Sequence, residues 1–194
     1  MPLTEKRCAW AGSDPLMVEY HDKEWGTPVH DDQELFEFLI LEGAQAGLSW
    51  STILNRREGY RQAFANFDVH KVALFVDADV EKLIKNPAII RNQLKINSAI
   101  NNACQFLKVQ KEFGSFDSYI WGFVDHTPIN NEFKELAEIP ATTDLSITIS
   151  KDLKKRGFNF VGPTICYAFL QAVGIVNDHV VDCFRYNEII NENK

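Results

Sequence analysis

Bulk positive charge is missing from this chain. Its 194 residues carry 20 Lys and Arg against 27 Asp and Glu, a formal net charge of -7. A protein that grips a polyanion through an overall cationic surface is excluded, so any such partner must be held locally. Long apolar runs are missing too. Nowhere do about 18 apolar residues follow one another, the length expected of a membrane span, and the opening MPLTEKRC holds no apolar core of the kind that directs export. The expectation is a soluble cytoplasmic protein with no membrane partner. Cysteine is scarce: Cys8, Cys104, Cys166 and Cys183 are the four, far apart in the chain. Without an export signal, that usage favours reduced thiols or metal ligands over a disulfide framework. Repeats, low-complexity tracts and Gly/Ser-rich linkers are absent as well, which points to a single unit over residues 1 to 194.

What is present is 45% hydrophobic residues, enough for a sizeable core, with isolated Pro and Gly punctuating helix-length segments. Asp31, with Glu34 three residues on, resembles a capping box before the apolar run at 35 to 41, and predicts a helix over 33 to 42. Ser49 is placed to cap a second helix through Trp50, Ile53 and Leu54; Asp68 a third, through Val72 and Phe75; and Asp79 a short fourth. Ile96, Ile100, Ala103 and Leu107 recur at helical spacing up to Gly114, giving the longest helix. Residues 116 to 124 and 150 to 156 also read as helices, 163 to 173 opens with Pro at a first helical position, and a last helix is predicted over 177 to 186. Only 142 to 149 has β character, too little for a sheet. The fold class is all-α.

His179 and Cys183 are four apart, which on a helix puts both on one face as a clip for a metal. Cys8 and His21 supply the same two ligand types near the other end, completing a Cys2His2 set suited to one tetrahedral zinc. Such a closed shell leaves no position for substrate, so the ion would be structural and would pin the chain ends together. Spacing alone leaves buried thiols and surface imidazoles as an equal reading.

Glu42 lies three, four and seven residues after Leu39, Phe38 and Leu35 and should share their buried face. A buried carboxylate demands a hydrogen-bonding partner or a cationic ligand; a structural role, capping the turn that follows or pairing with a Lys or Arg, is the alternative. Trp10, Tyr20 and Trp25 precede Glu42 and Trp50 follows it. Aromatic faces of this kind sandwich planar rings and attract cations, which suits an alkylated nucleobase, although core packing explains any one of them. Further on, residues 151 to 157 carry Lys151, Lys154, Lys155 and Arg156 against Asp152, then a turn bounded by Gly157 and Gly162 leads into Pro163 and Thr164. A helix, a Gly-bounded turn and a helix N-terminus offer backbone N–H groups to a phosphate, the helix-hairpin-helix mode of holding DNA; an ordinary helix C-cap is the competing reading.

Taken together, RCAW at 7 to 10, YHDKEWG at 20 to 26, LEGAQAGLSW at 41 to 50, KKRGFNFVGPTICYAF at 154 to 169 and VNDHVVDC at 176 to 183 closely resemble the 3-methyladenine-DNA glycosylase I family. The resemblance spans nearly the whole chain in one order. It implies a helix-hairpin-helix glycosylase fold with two helical lobes, the N- and C-terminal segments forming the lobe that a structural zinc pins. Cys8, His21, His179 and Cys183 match the family's zinc ligands. Glu42 matches its base-recognition carboxylate, Tyr20 the hydrogen-bonding and stacking partner, Trp50 the stacking ring and Trp10 a pocket wall. Leu48 matches the residue that plugs the duplex gap, while Lys154, Lys155, Arg156, Gly157, Gly162 and Thr164 fall in the DNA-holding hairpin.

The implied partner is alkylated double-stranded DNA, the implied product free 3-methyladenine, and the enzyme is expected to be a monomer. The substrate base is cationic and already a good leaving group, so recognition after base flipping can supply most of the selectivity. Bifunctional relatives carry a nucleophilic Lys where this chain has Thr164, so strand-cutting lyase activity is not expected. Asp178 and Asp182 lack the superfamily's usual spacing for a catalytic Asp; Asp178 is read as orienting His179 or capping its helix. Four residues separate Gly157 and Gly162, longer than the common Gly-x-Gly hairpin. A non-catalytic zinc-stabilised module binding DNA or modified bases is the alternative, whereas a zinc nucleobase deaminase would need a Pro-Cys-x-x-Cys pattern that the chain lacks.

Charge is unevenly spread: residues 1 to 50 hold 3 basic and 10 acidic residues, and the remaining chain holds 17 of each. Any phosphate grip is expected from the basic segment at 151 to 157 together with the hairpin amides.

Overall fold

A computed structural model describes residues 6 to 192; the first five residues of the MPLTEKRC opening lie outside the described residues. The described residues form eleven α-helices: α1 Pro15–Lys23, α2 Asp32–Gln45, α3 Trp50–Leu54, α4 Arg57–Ala63, α5 Val69–Val72, α6 Asp77–Leu83, α7 Gln93–Phe113, α8 Phe116–Trp121, α9 Asp144–Lys155, α10 Pro163–Ala172 and α11 Phe184–Glu192. A two-residue parallel bridge joins β1 Ile129–Asn130 to β2 Val176–Asn177. The all-α expectation holds, and no described helix is long and apolar enough to cross a membrane.

The centre is α2, buried without interruption from Leu35 through Ala44. A helix apolar all round must be surrounded, and it packs against α3, α7, α8 and α10. Asp31 caps it by accepting from the Glu34 N–H at 2.9 Å. Ser49 and Asp68 cap α3 and α5 as expected, and Pro163 opens α10.

Several segments differ from the expectation. Residues 142 to 149 are helical, not extended: Thr143 and Ser146 form a capping box that starts α9, of which 150 to 156 is the continuation, and buried Ser146, Ile149, Ser150 and Leu153 lie on one helical stripe. Asp79 is not a cap but the third residue of α6, its carboxylate accepting from the Val76 N–H. The third helix stops at Val72, and 122 to 124 is a tight 3-10 turn after α8. The last helix begins only at Phe184; Asn177 belongs to β2, and 178 to 183 is bend and turn. Helices α1 and α4 had no strong apolar period; α1 starts at an Asp14-Pro15 pair, with the Asp14 carboxylate accepting from Leu16 and Met17.

The two ends of the chain converge. Gly26 N–H donates to Gln171 O at 2.9 Å, Val29 N–H to Val173 O at 3.1 Å, and Phe184 N–H to Lys6 O at 2.9 Å. Gly174, at φ +71°, lies where a Cβ would stand 2.3 Å from the Thr27 carbonyl carbon, so the close approach of these strands requires glycine.

Candidate active site and metal centre

Convergence of the ends brings Cys8, His21, His179 and Cys183 into one buried cluster whose ligand atoms lie within 4.8 Å of one another. The Cys8 Sγ to His179 Nδ1 distance is 3.5 Å; Cys183 Sγ lies 3.4 Å from both His179 Nδ1 and His21 Nε2. A tetrahedral ion bonded at about 2.3 Å to sulfur and about 2.0 Å to nitrogen would set sulfur–nitrogen edges of roughly 3.6 Å. Both imidazoles are fixed in the tautomer that a metal needs. Trp25 O can only accept, so His179 Nε2, 2.9 Å away, carries its proton and leaves the Nδ1 lone pair facing the sulfurs. The Cys8 N–H can only donate, so His21 Nε2 carries the lone pair, and His21 Nδ1 is 2.8 Å from Asp22 Oδ1. The donor set fits a metal. His179 and Cys183 meet through a turn and not along a helix face, and Asp178 neither caps a helix there nor orients His179.

Asp178 is instead fully buried and saturated. Its Oδ2 accepts from the Tyr167 hydroxyl at 2.5 Å and Gln171 Nε2 at 2.8 Å, and its Oδ1 from Asn131 Nδ2 at 2.6 Å.

Central helix α2 buries two glutamates that fare differently. Glu37 is clamped by Arg57 Nε at 2.5 Å and by Arg61 at 3.0 Å, and Arg57 also binds Glu24. Glu42, 4% exposed, has an Oε2 with no partner among the described residues. Burial pushes its carboxyl up to about 8. It faces a cavity of about 320 Å³ walled by Trp10, Tyr20, Trp25 and Trp50, within the range of small-molecule sites. Tyr20 and Trp50 rings are 5.1 Å apart, and Trp10 meets Trp25 edge-on at 4.9 Å. The Trp50 Nε1 donor is buried and also unpartnered. Burial, then the neighbouring Glu42, pushes the Tyr20 phenol up, so it stays a donor. All four base-binding residues expected from the sequence therefore share one cavity.

Gln45 and Gln171, which sequence reasoning missed, also line it. Asp178 takes the Gln171 amide N–H, so the Gln171 Oε1 is the end left to accept. The signal was its spacing from Thr164 and Ala168 along one face of α10, a polar residue in an otherwise apolar helix.

The cavity continues into a groove of about 400 Å³ between the Gln45-to-Leu48 turn and the start of α10, lined by Glu42, Gln45, Leu48, Thr164 and Ile165. Leu48 is 40% exposed at its rim. The hairpin is held from behind by buried Asn102 of α7, whose amide accepts from Asn159 N–H at 2.8 Å and donates to Asn159 O at 2.9 Å. Ser150 Oγ donates to Val161 O at 2.6 Å. Lys154, Lys155, Gly157 and Thr164 are exposed. Arg156 is already paired within the chain: it binds Glu112 at 2.7 Å and Asp152 at 2.6 Å and lies over the Phe113 and Tyr119 rings.

Fold and site together define an all-α, helix-hairpin-helix protein with an aromatic cavity that holds an unpartnered buried carboxyl oxygen, a chemistry suited to a planar, cationic ligand. The methyladenine glycosylase family model matches residues 10–186, and the chain belongs to that family. DNA-3-methyladenine glycosylase 1 of Escherichia coli strain K12 is 50% identical over 181 residues, which cover 93% of this chain and 97% of the relative. Among solved structures, a crystal structure of 3-methyladenine DNA glycosylase I matches with a TM-score of 0.90 at 48% identity, over 92% of this chain and 98% of the other. The Staphylococcus aureus 3-methyladenine DNA glycosylase I, solved to explain its recognition of 3-methyladenine, matches with a TM-score of 0.89 at 36% identity, over 92% and 95% of the two chains.

Proposed function

We propose that this chain hydrolyses the N-glycosidic bond of 3-methyladenine in alkylated duplex DNA, as a monomeric base-excision repair enzyme of the cytoplasm that leaves the strand uncut. The observation that carries the reading is the bare Oε2 of Glu42 inside an aromatic cavity. A carboxylate buried without a partner is a standing cost, offset when a cation arrives. N3 methylation gives adenine its positive charge while it is still attached to the sugar. Glu42 then ionises against the cation and accepts from the base edge, Trp50 and Tyr20 stack on the ring, and the Gln171 Oε1 offers a second acceptor. Normal adenine is neutral and leaves the Glu42 charge uncompensated, which disfavours it.

Base flipping costs a few kcal/mol and is favoured by a plug in the gap. Leu48 stands at the groove rim for that role, while Lys154, Lys155, the N–H groups near Gly157 and Gly162, and exposed Thr164 at the α10 N-terminus hold the backbone. As the C1' to N9 bond breaks, its electron pair passes to the base, which leaves as neutral 3-methyladenine held by Glu42 and the pocket, while the positive charge passes to an oxocarbenium-like sugar that water attacks with loss of a proton. Thr164 supplies no amine, so no Schiff base forms.

Cys8, His21, His179 and Cys183 would hold one structural zinc, which when bound cross-links the chain ends. The whole chain then acts as a single unit, its ends forming the pinned lobe and its middle the hairpin-bearing bundle.

Chromatography of bases released from methylated duplex DNA tests the activity. Released 3-methyladenine with intact strands supports it, and release no faster than the spontaneous rate overturns it.

A further inference from the structure

We propose that Lys95 is a positioning residue for base extrusion, clamping the turn that carries Leu48; this rests on the plug role assigned to Leu48 above. Lys95 lies in the first turn of α7, whose N-cap Asn92 accepts its N–H at 3.1 Å. Its ammonium reaches across to α2 and donates to Ala44 O at 2.8 Å and to Ala46 O at 2.7 Å.

The first of those carbonyls immediately precedes a tight turn and the second lies within it. Ala46 has φ -42° and ψ 115°, Gly47 has φ +77°, and Leu48 N–H donates to Gln45 O at 2.6 Å. This is a type II turn, whose third position requires a residue that tolerates positive φ, and Gly47 fills it. A glycine with positive φ after a helix commonly turns its own and the following N–H back onto the last helical carbonyls. Here the Leu48 N–H is spent on Gln45 O alone, and Lys95 satisfies Ala44 and Ala46 in its place. A cation is also the right charge for the negative end of the α2 dipole.

The clamp matters because of what the turn joins. Glu42 and Gln45, on the last turn of α2, face the base cavity; Leu48, three residues beyond Gln45, stands at the groove mouth opposite Thr164. Lys95 lines neither space, so it acts through the turn and not by touching the base. It fixes the offset between the side chain that enters the duplex and the carboxylate that receives the extruded base. Two bonds from one ammonium to carbonyls two residues apart remove the freedom of the turn to swing about the end of α2.

Single-turnover excision from methylated duplex DNA, beside quenching of tryptophan fluorescence by free 3-methyladenine, tests the clamp in Lys95→Met, Lys95→Arg, Leu48→Ala and the Lys95→Met/Leu48→Ala double variant. Misplacement of the turn by Lys95→Met should slow excision by about tenfold to a hundredfold, with free-base affinity kept within about twofold because the cavity is untouched. Lys95→Arg should restore most of the rate. In the Leu48→Ala background, Lys95→Met should cost no more than about twofold further, since both act on one step. An unimpaired Lys95→Met, an equal loss of free-base affinity, or full additivity with Leu48→Ala overturns the proposal. If the unmodified protein releases no 3-methyladenine, the glycosylase reading itself falls; if it does and Lys95→Met matches it, only the clamp falls.

Discussion

Trp25 and His179 join the buried Cys2His2 cluster to the aromatic cavity. The backbone carbonyl of Trp25 takes the His179 Nε2 proton at 2.9 Å, while the Trp25 indole meets the His179 ring edge-on, centroids 4.7 Å apart. The same indole meets Trp10 and lines the cavity that Glu42 faces. One residue thus transmits the geometry of four buried ligands to the wall of the pocket.

Metal removal should therefore be felt in binding as well as in stability. A structural zinc of this kind contributes on the order of 10 kcal/mol to folding. Cys183→Ser, or chelation at raised temperature, should lower the melting temperature and weaken 3-methyladenine affinity in parallel, with one zinc per chain in the untreated protein by atomic absorption. A metal-free protein with unchanged melting and affinity would contradict the coupling.

The unpartnered Glu42 should make the empty enzyme less stable as pH rises. Its carboxyl sits at about 8 in the folded chain against 4.5 in the open one. Folding therefore favours the protonated form, and the stability linked to it is complete below about pH 4.5 and is lost as pH rises through about 8. Thermal denaturation from pH 5 to pH 8 should show this fall in the parent and a flatter profile in Glu42→Gln. At pH 8, Glu42→Gln should be the more stable protein by on the order of 1 kcal/mol or more, yet much slower at excision. An identical pH profile in the two proteins would show that Glu42 is compensated by some other group.

The contrast with Glu37 marks how far the sequence could be read. Periodicity around Leu35, Phe38 and Leu39 put Glu42 near the core, but only the fold shows that Glu37 is buried too and that α4, a helix with no strong apolar period, delivers Arg57 to Glu37 and, among the described residues, nothing to the Glu42 Oε2. Local capping was legible at Asp31, Ser49, Asp68 and Pro163, where one side chain or ring decides the start. It failed at 142 to 149, where alternating Leu145, Ile147 and Ile149 mimic a strand and tertiary burial of Ser146 and Ser150 decides for helix. The metal ligands were legible as residue types, although the turn at 178 to 183, held by Asp178 and Asn177, does the work assigned to a helix. The pairing of Arg156 was not legible, because charge in a basic run gives no hint that Glu112, 44 residues earlier, lies beside it.

Asn102 should prove essential to the hairpin without touching DNA. It is 3% exposed and satisfies both the N–H and the carbonyl of Asn159. Asn102→Ala strands two backbone groups, each costing about 1 to 3 kcal/mol where water cannot reach them. Calorimetry should show a drop of that order, and hydrogen exchange should speed up selectively at 157 to 162. Uniform exchange changes across the chain would place the role of Asn102 in global stability alone.

Finally, the acidic chain should bind DNA with a shallow salt dependence. Lys154 and Lys155 are exposed beside the hairpin, whereas Arg156 is neutralised by Glu112 and Asp152. Each phosphate that a cation neutralises steepens the slope of log K against log salt by about 0.9. The hairpin N–H groups carry no net charge, so a grip of two to four cations predicts a slope of about -2 to -4. Replacing Lys154 and Lys155 together by Ala should flatten the slope by about 2, whereas Arg156→Ala should leave it nearly unchanged and lower stability instead. Titrations of a duplex carrying an abasic analogue at several salt concentrations separate these cases: a steeper drop for Arg156→Ala than for the lysine pair would mean that the Glu112 pairing opens on DNA and releases the guanidinium to a phosphate.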